Sequence, residues 1–504
     1  MKIITAKEAA QMITSGSTVV FNGFIMAAVA EEIISHIEKE FLAHGAPENL
    51  TVVSSTSVGD AGGLGLNHLA HKGLVKRLIT GHLNLMPKLQ KMIIGQDIEA
   101  YNFPQGVMGM LMRDIAAHRP GHITRIGLKT FVDPRISGGK LNAATHEELN
   151  EIVQIDGKEY IRYKPFRVDF AVLRGTYADR HGNISMENEA VCVDALSMAQ
   201  ACRNSGGKVL VQVEKVVDKL SPHDVRIPSV LVDAVVPVSD MRYHRQSANC
   251  DFNAAYLSAD DSAQLSRSDM PTGERYIIAA RSADELMPDA IINLGIGIPE
   301  GIAQIAGQRG RSDFTLTVEA GGIGGYPMGG LDFGCTFKPE AILYQHQLFE
   351  YYHGGGLDQT FLGLAEVDPS GNINVSKFGP RVAGCGGFIC ITQSTPKLYF
   401  IGTFTAKGLR THTENGKLVI DSEGSVKKFK KSIEQITFSA QFARENGQTA
   451  LYITERCVFE LKDSGLVLTE IAPGIDIEKH ILPNMEFKPE ISPNLKLMNP
   501  EIFR

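Results

Sequence analysis

The chain has 504 residues, 43% hydrophobic and 21% charged, the composition of a globular protein too long for one ordinary core. Its net charge of −7, from 50 basic and 57 acidic residues, excludes a general attraction for nucleic acid or anionic membrane, so any anionic ligand requires a local basic pocket. Apolar runs fall short of the roughly 20 residues that cross a bilayer, so no membrane partner is expected.

In chain order, Thr5-Ala6-Lys7-Glu8 reads as a capping box opening a helix from Ala6 to Thr14, in place of a signal-peptide core. The strand Thr18 to Phe21 leads into Asn22-Gly23-Phe24 and a helix from Ala28 to Glu40. The strand Leu50 to Ser55 runs into the glycine loop Gly59 to Gly65. The second half repeats this order. A helix near Ile277 to Leu286 precedes the strand Ala290 to Asn293, then Leu294-Gly295-Ile296-Gly297-Ile298-Pro299 and another helix. The strand Phe314 to Val318 follows, and it meets Glu319 and a loop with glycines at 321, 322, 324, 325, 329 and 330. Strands alternating with amphipathic helices predict an α/β protein with mainly parallel sheets and ligands at the carboxyl ends of strands.

A sharper repeat joins Asp169 to Asp179 and Gly182-Asn183-Ile184 with Asp358 to Asp368 and Gly371-Asn372-Ile373, at an offset of 358 − 169 = 189. Lys208-Val209-Leu210 and Lys397-Leu398-Tyr399 keep that offset, so two related halves are expected. Matching Asn22 with Asn293 gives 271 instead, so the first half carries roughly eighty extra residues before Asp169, with His82 and Pro104-Gln105-Gly106 among them. The expected division is 1–257, a polar linker at 258–272, and 273–504 carrying Glu319.

Several motifs fail. Gly295-x-Gly297-x-x-x-Gly301 has its third glycine one position late for a dinucleotide fingerprint, and Pro299 interrupts it. Ser137-Gly138-Gly139-Lys140 lacks the upstream glycine of a phosphate loop and reads as a flexible surface loop. His68 and His71 lack a carboxylate or cysteine at ligand spacing and read as ordinary polar residues, so no metal is expected. Seven cysteines, an odd number without Cys-x-x-Cys, read as free core thiols in a reducing compartment, and the cytoplasm is the expected location.

A lone carboxylate on a strand-to-loop corner, Glu319, suits a nucleophile held still from behind. Asn293-Leu294-Gly295-Ile296-Gly297, Glu319 with its glycine loop, Gly354-Gly355-Gly356-Leu357-Asp358 and Gly371-Asn372-Ile373-Asn374-Val375-Ser376-Lys377-Phe378-Gly379 together resemble the family I CoA-transferases. The similarity is greatest to single-chain acetate/propionate and 3-oxoacid members, and Pro104-Gln105-Gly106, Thr454-Glu455-Arg456 and Ala472-Pro473-Gly474 extend it along the chain. The resemblance implies two related open α/β domains with the active site between them and Glu319 as nucleophile. It implies Gly386-Gly387 as the segment giving a backbone N–H to an oxyanion hole, with the Gln105 amide facing it. The family's Glu-Ser-Gly or Glu-Pro-Gly is here Glu319-Ala320-Gly321, which leaves the catalytic group intact.

The reaction so implied passes CoA between short-chain carboxylic acids (acetate, propionate, butyrate or acetoacetate) through a covalent glutamyl-CoA thioester. CoA and acyl-CoA are then substrates, no cofactor is held permanently, and a homodimer or homotetramer is expected. Asn293, Gly295 and Gly297 are candidates for the cofactor-binding loop. Lys377, Arg381 and Lys407 are candidates for the CoA phosphates by location alone. Phe24, Met26, Tyr326 and Met328 lie beside the motif loops as candidates for the acyl pocket. An acyl-CoA hydrolase on the same scaffold, a non-catalytic small-molecule-binding module and a dehydrogenase are the alternatives.

Overall fold

The computed structural model describes residues 2–258 and 270–504, and most of the expected linker at 258–272 lies outside them. Two compact units are present. The first joins the N-terminal residues up to 263 with Val318–Glu350 and Gly379–Cys390; the second comprises the remainder. Neither unit is continuous in sequence, and Glu319 belongs to the first.

The first unit is built on an eight-stranded sheet among its described residues. From edge to edge the strands are Lys2–Ile3, Ala234–Pro237, Lys208–Val213, Phe170–Arg174, Thr18–Phe21, Leu50–Ser54, Val75–Thr80 and Glu99–Asn102. Every pairing is parallel. Val19, Val20, Val52, Val53, Val209, Leu210 and Val211 are buried, as in a parallel sheet covered on both faces. In the second unit the strands Phe314–Thr317, Ala290–Leu294, Gln359–Gly363, Lys397–Ile401 and Thr449–Ile453 pair in parallel. Cys457–Lys462 and Gly465–Ile471 then continue that sheet in antiparallel fashion.

Local signals hold closely. Thr5 caps the helix Ala6–Met12 with the full reciprocal box: Glu8 N–H donates to Thr5 Oγ1 at 3.2 Å, and Thr5 N–H donates to Glu8 Oε2 at 2.7 Å. The second helix starts later than expected, at Glu31–His44, because Phe24 and Ala27 first bridge each other, with Ile25 and Ala28 at positive φ. Gly45, at φ 71°, closes it in the left-handed conformation that glycine adopts without strain.

The internal repeat is physical as well as textual. Asp169 Oδ2 accepts from Thr18 N–H at 2.9 Å, and Asp358 Oδ2 accepts from Ile291 N–H at 2.8 Å. Asp179 and Asp368 each accept from the main chain and the side-chain amide of the asparagine four residues on. Sheet register corrects the other offset. Val19 pairs with Phe170 and Ile292 with Gln359, so 292 − 19 gives 273 where the Asn22–Asn293 match gives 271. The repeated Asn-x-Gly and Asn-Gly letters misalign the halves by two residues.

The Ser137–Lys140 segment is a further correction: it is not a flexible surface loop. Gly139 accepts from Asn102 N–H at 2.8 Å, and a Cβ at Gly139 would stand 2.7 Å from Asn102 O, so the glycine is required by close packing. No helix among the described residues is long and apolar enough to cross a membrane. All seven cysteines are unpaired, six of them buried.

Candidate active site

The strand Phe314–Thr317 ends one residue earlier than expected, because Val318 N–H turns out of the ladder to Gly322 O at 2.9 Å, and Gly321 N–H returns to Val318 O at 2.9 Å. Glu319 is thereby fixed on a corner, 8% exposed, and Ala320 behind it is fully buried. Two glycines after it are sterically required. A Cβ on Gly321, at φ 129°, would meet Leu343 O at 2.1 Å, and one on Gly322 would meet Thr336 Oγ1 at 2.1 Å. Phe24 packs against the same loop, with its ring centroid 5.9 Å from that of Phe333.

Two elements of the first unit converge beside this corner. The helix Gln105–Ala116 begins with Gln105 after Pro104. The segment from Gly379 to Cys390 lies along its start: Leu83 N–H donates to Ala383 O, Cys385 N–H to Asn102 Oδ1, Gly386 N–H to Gly81 O and Gln105 N–H to Gly386 O, all at 2.8–2.9 Å. Cys390 connects helix and corner. Burial pushes its thiol up to about 12, the N–H groups of Gly106 and Val107 oppose that, and the Glu319 carboxylate adds to it.

Of the expected glycine pair, Gly386 has its N–H engaged by Gly81 O. His82, which the sequence placed in the extra stretch of the first half without a role, lies with its ring 3.4 Å from the place a Cβ on Gly386 would take, and Gln105 Oε1 lies 3.8 Å from that place. Burial, and then the Arg381 charge, lower the His82 pKa to about 4, so its imidazole is neutral at pH 7.

Gln105 is 2% exposed, and its Nε2 donates to Gln345 Oε1 at 2.7 Å. Gln345 Nε2 donates to Asp194 Oδ2 at 2.8 Å, and Ser55 Oγ donates to the same oxygen at 2.7 Å. His346 Nδ1 lies 3.2 Å from Asp194 Oδ1. Sequence reasoning missed Gln345 and Asp194, since neither stands in a motif. The signal that existed was glycine spacing: a Cβ on Gly109 would press to 2.8 Å from Asp194 Oδ1, and one on Gly106 to 2.5 Å from Phe349.

The remaining candidates divide. Arg381 belongs to the first unit, exposed, with its guanidinium on Asn84 Oδ1. Asn293, Gly295, Gly297, Lys377 and Lys407 belong to the second unit. Asn293 is buried, its Nδ2 donates to Thr317 O and its Oδ1 accepts from Thr360 Oγ1, both at 3.4 Å. Gly295 packs on Leu362, whereas Gly297, at φ 87°, has open space where a Cβ would point. Lys377 is paired with Glu434 at 3.1 Å, and Lys407 is exposed. Among the described residues no group of three His, Cys, Asp or Glu side chains is placed to hold a metal ion. His68 instead bridges two carboxylates of the helix Glu31–His44, with Nε2 2.9 Å from Glu31 and Nδ1 on Glu38, and His71 shares Glu38 at 2.7 Å.

Comparison with known proteins identifies the family. A family model described as Coenzyme A transferase matches residues 3–237. The chain is 43% identical over 510 residues to the caffeate CoA-transferase of Acetobacterium woodii, covering 100% of this chain and 97% of that protein. It is also 43% identical over 509 residues to the acetate CoA-transferase YdiF of Escherichia coli K12, covering 99% and 95%. The crystal structure of the acyl-CoA transferase YdiF from E. coli O157:H7, described as a thioester complex with CoA, superposes with a TM-score of 0.93 at 41% identity, covering 100% of this chain and 96% of that one. The chain belongs to the coenzyme A transferase family and is a CoA-transferase.

Proposed function

We propose that the protein moves CoA between carboxylic acids by a ping-pong reaction in which Glu319 carries the CoA as a glutamyl thioester. The observation that carries this reading is the corner itself: one carboxylate, held by its own loop, beside the helix start that bears Gln105. The thioester complex described for the YdiF relative supports it.

A carboxylate nucleophile attacks a thioester carbonyl without a separate base. Attack by Glu319 on acyl-CoA forms a tetrahedral oxyanion, which collapses to a mixed acyl-glutamyl anhydride and CoA thiolate. The thiolate attacks the glutamyl carbonyl, and the first carboxylate leaves. A second carboxylate reverses these steps and departs as the new acyl-CoA. The Gln105 amide and the Gly387 N–H are the donors assigned to the oxyanion, a contribution typically of about 10²–10³ in rate per donor. The thioester's energy passes from one acid to the next, so the reaction needs neither nucleoside triphosphate nor metal. Buried packing around Glu319 and Ala320 suits an intermediate that water would destroy.

We assign short-chain acids (acetate, propionate, butyrate or acetoacetate) as substrates, and Phe24, packed on the glycine loop with Phe333, as a wall of the acyl pocket. The equal identity to a caffeate enzyme makes acyl size the axis to test. Of Lys377, Arg381 and Lys407, Arg381, which shares the first unit with Glu319, is assigned to the CoA phosphates. A cytoplasmic homodimer or homotetramer completes the reading, and seven unpaired cysteines support the reducing compartment.

Incubation with acetyl-CoA, followed by intact-protein and peptide mass spectrometry, tests the mechanism. A CoA adduct on the Glu319 peptide, discharged by added acetate or propionate, is the expected result. An adduct elsewhere, or none during turnover, overturns it. Acyl-CoA loss at the same rate without an acceptor acid identifies a hydrolase.

A further inference from the structure

His82 sits just past the carboxyl end of the strand Val75–Thr80, the end at which parallel α/β sheets meet their ligands. The residues on either side of it are tied to the 383–386 segment: Leu83 N–H donates to Ala383 O, and Gly81 O accepts from Gly386 N–H, each at 2.8 Å. Glycines make room for it there. A Cβ on Gly384, at φ 81°, would come 3.2 Å from His82 Cα, and one on Gly386, at φ 53°, would come 3.4 Å from the ring. The segment continues to Cys390, whose thiol feels the Glu319 carboxylate. One short stretch of chain thus runs from the imidazole to the proposed nucleophile.

A histidine packed only for structure pairs its ring nitrogens with neighbouring groups. His82 does not. Its carbonyl accepts from Thr80 Oγ1 at 3.1 Å, and among the described residues neither ring nitrogen has a hydrogen-bond partner. The residue keeps partial exposure to solvent, yet burial is the larger cause, and the Arg381 charge the smaller, of a pKa lowered to about 4. Protein therefore encloses the imidazole on most sides and leaves it an opening. Above about pH 5 such a ring is neutral, with one N–H to donate and little tendency to take up a proton. A neutral imidazole in a recess suits the polarising of a carbonyl oxygen, not the moving of protons.

We propose that His82 is a catalytic residue of the transfer reaction, its imidazole N–H hydrogen-bonding the carbonyl oxygen of the acyl group as that oxygen takes on negative charge. The proposal rests on the reading of the Glu319 corner as the place where acyl-CoA is attacked. A bond forms from the Glu319 oxygen to the acyl carbon, and the carbonyl electron pair moves onto the oxygen that His82 holds. That pair returns as the C–S bond breaks and CoA thiolate leaves. The proton stays on the imidazole nitrogen throughout, so the ring acts as a fixed dipole.

Two variants separate a donor from a filler of space. His82→Phe keeps a ring and removes the N–H, whereas His82→Gln removes the ring and keeps a side-chain N–H. The donor role predicts a kcat about 100-fold or more below wild type for His82→Phe, with His82→Gln at least about tenfold faster than His82→Phe and both unfolding thermally like wild type. A packing role predicts the reverse order, and that order, or equal losses, overturns the proposal. So does a kcat within about threefold of wild type for His82→Phe. In the pH profile of kcat/KM, a limb near the ordinary histidine value of about 6.5 that vanishes in His82→Gln would make the residue a base and overturn the fixed-donor role. The rate at which CoA appears on the Glu319 peptide after mixing with acetyl-CoA distinguishes this proposal from the reading beneath it. Slower appearance in His82→Phe is expected. A wild-type adduct that His82→Phe forms at an unchanged rate sinks the role of His82 alone, whereas a wild-type Glu319 that never carries CoA sinks the nucleophile reading.

Discussion

Sheet register sets two corners of the molecule side by side. Val52 pairs with Val19 and Leu316 with Ile292, so the residue three places beyond each, Ser55 and Glu319, occupies the equivalent position after equivalent strands. Ser55 is fully or nearly fully buried and gives its hydroxyl to Asp194; Glu319 stands on a glycine loop as the proposed nucleophile. One copy of the corner has become support and the other chemistry. The same division holds elsewhere: the Asp169/Asp358 and Asp179/Asp368 bonds are alike in both halves, whereas Gln105 and His82 lie in the stretch that only the first half has. Repeated parts carry the scaffold, and the residues proposed to react fall where the copies differ.

The largest expected effect breaks this comparison at its centre. Glu319→Gln is expected to lower transferase turnover on the order of 10⁴-fold or more, as removal of a covalent nucleophile does, with unchanged circular dichroism and thermal unfolding. Ser55→Ala at the matching corner is expected to cost less than about tenfold, since it removes one of two side-chain donors to Asp194 Oδ2. Comparable losses from the two would show that the corners are not divided in this way.

A second comparison concerns stability. Asp179→Ala and Asp368→Ala each remove a carboxylate bonded to both the main chain and the amide of an asparagine, and each is expected to destabilise by about 1.5–3 kcal/mol in urea unfolding. A large effect at one site alone would mean that the repeat is preserved in geometry but not in energetics. For Asp179 the direction with pH follows as well. Burial opposes ionisation, but the Asn183 amide and nearby N–H groups outweigh it and lower the pKa, so its stabilisation is present above the unfolded value and lost as pH falls through the folded one.

The smallest effect is on the first glycine loop, which has a histidine clamp. Burial lowers the His68 pKa, and the Glu31 and Glu38 carboxylates more than offset it, so the folded value is raised. Glu31 also accepts from Gly65 N–H at 2.9 Å, joining helix to loop. The clamp's contribution is therefore complete below the unfolded pKa of about 6.5 and disappears as pH rises through the folded one. His68→Gln is expected to cost about 1 kcal/mol at pH 6 and progressively less on the alkaline side, read from melting temperatures of mutant and wild type. A gap that widens with pH would refute the ion-pair account.

Much of the fold was legible because its signals are local or strictly periodic. A capping box, β-branched runs and a constant 189-residue offset all survive being read in one dimension. The register between halves was not legible, because the asparagine and glycine letters after Thr18–Phe21 and Ala290–Leu294 resemble each other two residues out of step. At the site, Glu319 was marked by the density of glycine after it, and Gln105 only through the family resemblance. Gln345 and Asp194 stand in no motif, since their hydrogen bond joins residues 151 positions apart, and only the glycines at 106 and 109 marked the close packing beside them. His68 read as an ordinary polar residue because its carboxylate partners lie about thirty or more positions away.

Cys390 has a consequence for the longevity of such a catalyst. An activated glutamyl group is electrophilic toward any sulfur anion, and a thiol belonging to the same chain competes without diffusing. With its pKa pushed up to about 12, the Cys390 sulfur exists as the anion in roughly one molecule in 10⁵ at neutral pH. Burial of this sulfur thus holds it in its unreactive, protonated form.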